Sequence, residues 1–119
     1  MGLPDKGLDR LVDLDGFLAE VGGGCWVKIV AHHVPPDASR PHGVSYSLTL
    51  HEPGGRRVFG IDNAHAVPSR RGPSRRSSAA QDHLHREDVV RPYAYRDADS
   101  LLDDFWREVD AFLKKRGIE

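Results

Sequence analysis

The stretch Val44-Ser45-Tyr46-Ser47-Leu48-Thr49-Leu50-His51 alternates apolar and polar residues without a break. A period of two puts Val44, Tyr46, Leu48 and Leu50 on one side of an extended strand and Ser45, Ser47, Thr49 and His51 on the other. One face is made for a core and the other for water. Pro53-Gly54-Gly55 then supplies a tight turn, and 56–62 returns as a hairpin partner in which Phe59 and Ile61 lie opposite Val58. Upstream, 25–34 sets Cys25, Val27, Ile29 and Ala31 against Trp26, Lys28, Val30 and His32. With a proline-rich loop over 35–42 between them, these segments read as an antiparallel meander.

The flanks complete the expected architecture. Leu14, Phe17, Leu18 and Val21 recur at helical spacing behind Asp15, which predicts a short N-terminal helix over 15–21, ended by Gly22-Gly23-Gly24 and preceded by a poorly ordered tail over 1–12. Leu101, Leu102, Phe105, Val109, Phe112 and Leu113 follow a 3.6-residue period from a Ser100-x-x-Asp103 start to a stop at Gly117, with Lys114, Lys115 and Arg116 in the last turn. One more strand is expected within 89–95, held to an edge because Pro92 has no amide donor. The expectation is a single α+β domain over 1–119: an antiparallel sheet of three to four strands, a long C-terminal helix packed on one face, and a short N-terminal helix.

Composition narrows the function classes. A chain of 119 residues with net charge -1 has one modest core, and its near-neutrality hides an uneven layout. No acid occurs between Asp62 and Asp82, whereas Arg70, Arg71, Arg75 and Arg76 all fall there, and acids crowd from Asp97 to Asp110. The aperiodic segment 64–81 is expected to be a mobile basic loop. A single cysteine, Cys25, excludes an internal disulfide and a Cys-rich zinc module. The first residues form no apolar signal-peptide region, and no segment approaches the ~18 apolar residues a membrane span needs, so a soluble cytoplasmic protein is expected.

Chemistry concentrates around that basic segment. Asp62-Asn63-Ala64-His65 precedes it and Asp82-His83-Leu84-His85 follows it. On an extended backbone His83 and His85 share one side, with Asp82 and Leu84 on the other. Imidazole donates and accepts protons near neutral pH, and guanidinium is shaped to hold phosphate, so a phosphodiester is the substrate that uses both. The candidate catalytic residues are Asp62, Asp82, His83 and His85; the candidate substrate contacts are Asn63, His65, Arg70, Arg71, Arg75, Arg76 and Arg86. Two mechanisms stay open: metal-free RNA cleavage with the imidazoles as acid and base, or a divalent metal held by Asp62, His83 and His85 with His65 as a further ligand. The plainer reading leaves the histidines on a surface loop and the arginines as a solvated tether. His32, His33, His42 and His51 read as loop or strand-end residues, and Trp106 as packing or a partner contact.

In combination, Tyr46-x-Leu48, Asp62-Asn63, Asp82-His83-x-His85, Pro92-Tyr93 and Leu101-Leu102-Asp103-Asp104-Phe105-Trp106 resemble the TumE family, toxin components of two-gene toxin-antitoxin systems. The likeness runs from about Leu14 to Phe112. It implies a small bacterial toxin with a cognate antitoxin, typically a DNA-binding protein. Where many relatives have Tyr-Asp-Asn this chain has Ile61-Asp62-Asn63, and Ala79-Ala80-Gln81-Asp82-His83 stands where they carry Gly-Lys-Gly-Asp-His. If that lysine binds phosphate, Arg75, Arg76 or Arg86 must replace it here. The resulting expectation is a TumE-like toxin acting on RNA as a ribonuclease, with homo-oligomerisation open. The rival is a non-catalytic module that binds a partner through the basic loop and the acidic C-terminal helix. A DNA-binding regulator ranks last, since no helix-turn-helix pattern is visible.

Overall fold

The computed structural model describes residues 5–38, 40–63 and 82–118. Its elements run α1 (Leu8–Asp13), β1 (Phe17–Gly22), β2 (Cys25–His33), β3 (Val44–His51), β4 (Arg57–Asp62), β5 (His83–Arg86), β6 (Val89–Pro92) and α2 (Ala98–Lys115). The strands form one antiparallel sheet in sequence order, β1 to β6. The α+β class is as expected, but among the described residues the sheet has six strands rather than three to four.

The central strands follow their alternation. Val27, Ile29, Leu48, Leu50, Phe59 and Ile61 point to one face and are almost fully buried beneath α2 and α1. The register Leu50↔Phe59 followed by His51↔Arg57 leaves Val58 as an extra residue, a bulge that buries Val58 and Phe59 together. Helix α2 lays Leu101, Phe105 and Val109 on this face. It begins at Ala98, two residues before the expected start, because Asp97 is the cap: its Oδ1 accepts from the Ser100 amide at 2.7 Å. Trp106 packs edge-on against Phe17 at 6.2 Å, a packing role.

The expected helix over 15–21 is a correction. Residues 17–22 are β1, and the N-terminal helix lies earlier, at Leu8–Asp13, within the segment expected as a tail. Apolar residues at spacings of three and four fit both readings, and pairing decides between them: Phe17 faces Ile29 and Ala19 faces Val27, completing the edge of β2. The three glycines do not end a helix but turn the hairpin, all with positive φ (142, 60 and 82). Helix α1 buries Leu11 and is tied to the start of α2 through Arg10 and Asp99, 2.6 Å apart. Gly7 is required there, since a Cβ would lie 2.1 Å from Asp99 Oδ1.

Strand β6 ends on Pro92 at the sheet edge, as its missing amide demands. The expected loop 64–81 lies outside the described residues. No helix among the described residues is long and apolar enough to cross a membrane.

Candidate active site

Strand pairing assembles the site. In the β4–β5 register Asp62 sits opposite His83 and Gly60 opposite His85, so the carboxylate and both imidazoles emerge on the face away from α1 and α2. His85 Nε2 lies 3.2 Å from Asp62 Oδ2, and His83 Nδ1 lies 3.9 Å from Asp62 Oδ1. The two rings are 6.3 Å apart, and the side chains keep 22% (His83), 16% (His85) and 12% (Asp62) of their exposure. The carboxylate is thus largely shielded while the imidazoles retain an accessible edge. One carboxylate placed beside two imidazoles can orient both of them.

Asp82 belongs to a different cluster. Strand alternation turns it to the helix side, where Tyr46 Oη donates to Oδ2 at 2.6 Å and His42 Nε2 lies 3.2 Å from Oδ1. His42 stacks on Tyr95 at 3.8 Å, and Tyr95 Oη donates to Asp5 Oδ2. Burial, followed by the negative charge of Asp82, pushes the Tyr46 phenol far above its ordinary value, so Tyr46 stays a donor. Burial and the hydrogen bonds to Asp104 and Asp5 likewise raise Tyr93 and Tyr95. The Tyr93 amide donates to the Asp82 carbonyl at 2.9 Å, pinning the backbone immediately before His83.

Two candidate substrate contacts are occupied with structure. Asn63 is 1% exposed; its Oδ1 accepts from the Tyr46 amide at 2.9 Å and its Nδ2 donates to the Val44 carbonyl at 2.7 Å, extending the β3–β4 ladder by one side chain. Arg86 lies on the helix side, 2.8 Å from Glu108 and with its guanidinium 5.2 Å from the Phe59 ring centroid. Neither group faces the imidazoles. His65, Arg70, Arg71, Arg75 and Arg76 lie outside the described residues. Among the described residues no group of three or more His, Cys, Asp or Glu side chains is arranged to hold a metal ion.

Sequence reasoning missed the roles of Tyr46, His42 and Tyr95. A tyrosine at an inward position of a central strand signals a buried hydroxyl in need of a partner, but nothing local identifies that partner as Asp82.

All six strands and most of α2 fall inside one family match: the model described as Toxin TumE aligns with residues 12–113. This chain belongs to the TumE toxin family. No curated protein and no solved structure matches it. Membership makes this TumE protein a toxin and implies an antitoxin as its partner.

Proposed function

We propose that this TumE protein is a ribonuclease toxin whose reaction centre is Asp62, His83 and His85. One observation carries the reading: a shielded carboxylate held between two imidazoles on a sheet face that no described helix covers. Cleavage of a ribose phosphodiester needs a base for the 2′-hydroxyl and an acid for the leaving oxygen on opposite sides of phosphorus. The rings, tilted 55° with centroids 6.3 Å apart, open onto the same uncovered face, so a phosphate lying over the pair meets the ring nitrogens that are not turned to Asp62.

In this mechanism one imidazole removes the 2′-hydroxyl proton as that oxygen attacks phosphorus. The other protonates the departing 5′-oxygen. Asp62 keeps both rings oriented and stabilises whichever is cationic, and the charge growing on the non-bridging oxygens is assigned to arginines of the basic segment between Asn63 and Asp82 in the sequence. Asp82, facing the other way, acts as a positioning residue: with Tyr46 and His42 it fixes the backbone that carries His83.

Purified protein incubated with single-stranded RNA, with and without a chelator, tests the reading. Cleavage that persists in chelator and leaves 2′,3′-cyclic phosphate ends is the expected result. Cleavage abolished by chelator and restored by a divalent ion would move the chemistry to a metal. No cleavage under any condition would leave the partner-binding reading in its place.

A further inference from the structure

The face that carries the imidazoles continues well beyond them. Direct strand pairs place Lys28, Thr49, Gly60 and His85 in one row across four strands, about 14 Å from end to end at the usual strand spacing. Gly60 is buried in the middle of that row, and the exposed Arg57 side chain reaches over it. A Cβ there would lie 3.2 Å from both the Leu48 carbonyl oxygen and Thr49 Cγ2 and 3.4 Å from Arg57 Cδ, so a larger residue would crowd the row. In the adjacent row Trp26 and His51 stand off the sheet as parallel rings, 3.9 Å apart and 7° from coplanar. His51 is fixed by Thr49 Oγ1 at 2.9 Å and the Gly55 carbonyl at 3.1 Å, so the pair is rigid. On the free side of the indole is a shallow cavity of about 300 Å³ lined by Leu18, Ala19, Glu20 and Trp26, and Leu18 is 63% exposed.

We infer that this face is a single-stranded RNA track, with a nucleobase seated against Trp26, its phosphate near Lys28, and the strand passing the exposed Arg57 beside Gly60 to reach His83 and His85. The inference rests on the ribonuclease reading and adds to it where the substrate lies. Single-stranded nucleic acid is the occupant that matches these features together: a half-buried indole beside the exposed Leu18 offers a stacking surface, the exposed Lys28 ammonium meets a phosphate, and the track ends at groups suited to phosphodiester chemistry. Glu20, whose Oε2 accepts from the Gly24 amide at 3.0 Å, borders the cavity and offers carboxylate oxygens as acceptors for a base's amino group.

The test uses the full chain, a cleavable single-stranded RNA for kinetics and its fully 2′-O-methylated counterpart for binding by fluorescence polarisation. Trp26→Ala is expected to weaken binding and raise KM roughly tenfold, the range of one lost base stack, while kcat stays within about twofold. Trp26→Phe restores most of the affinity. Lys28→Ala, at an exposed position, is expected to lower the slope of log affinity against log salt by about 0.7, and it carries the test should Trp26→Ala fail to melt cooperatively. If the wild type cleaves RNA while both alanine variants keep its KM and salt slope, the track is wrong and the reaction centre stands. If the wild type neither cleaves nor binds, both fall.

Discussion

Two acids on either side of the same pair of strands have opposite fates. Asp62 turns to the uncovered face and meets two imidazoles that keep part of their exposure, whereas Asp82 turns to the helix side and is enclosed by a buried phenol and a stacked histidine. The residue types are nearly the same, acid beside histidine. What differs is the third partner. A tyrosine donor makes Asp82 a fixed anchor, while two partly exposed imidazoles beside Asp62 give it the surroundings the proposed reaction requires. Surroundings therefore track the strand face more closely than the sequence motif, since Asp82-His83 is one dipeptide split between both clusters.

The largest effect on folding is expected on the helix side. Phe105→Ala empties a fully buried site against Phe59 and should cost about 3–5 kcal/mol in urea unfolding. Asp82→Ala leaves the Tyr46 hydroxyl without its acceptor, and a loss of about 1–3 kcal/mol with a smaller loss of cleavage is the expected outcome. Asp62→Asn reverses that pattern: stability within about 1 kcal/mol of wild type, and cleavage reduced by about 10²-fold or more. Equal effects of the two acid substitutions on both readouts would erase the distinction drawn between them.

A smaller, pH-dependent effect sharpens the same contrast. Tyr46, Tyr93 and Tyr95 all have raised phenol values in the folded chain, so the unfolded chain loses these protons first. Stability from these groups is fully present below about pH 10, the unfolded phenol value, and declines as pH rises above it. Melting temperatures measured from neutral to alkaline pH should show this decline, and Tyr46→Phe should flatten part of it. A decline unchanged in Tyr46→Phe would mean the phenol–Asp82 contact contributes nothing to it.

Much of this could be read from the chain before its structure. The alternation of 44–51 and the 3.6-residue period of 101–113 gave β3 and α2, because each buries one clean face. Pro92 correctly marked an edge. Strand β1 was hidden because Phe17, Leu18 and Val21 satisfy helical spacing, and only the unpaired edge of β2 selects the strand. Strand β5 is four residues long and mostly polar, too short for any periodicity to speak. For the site, the shared side of His83 and His85 followed from strand geometry, and Asp62 joins them through the β4–β5 register. That Asp82, Asn63 and Arg86 are held by Tyr46, Val44 and Glu108 was not legible, since those partners are separated in sequence and chosen by packing.

Growth inhibition by the double variant His83→Ala/His85→Ala, expressed without antitoxin beside wild type, with the melting temperature of each purified protein, bears most directly on the reaction centre. Loss of inhibition with cooperative melting within a few degrees of wild type is the expected outcome, because both rings lie on the uncovered face and contribute little to the core. A folded double variant that still arrests growth as strongly as wild type would contradict the assignment.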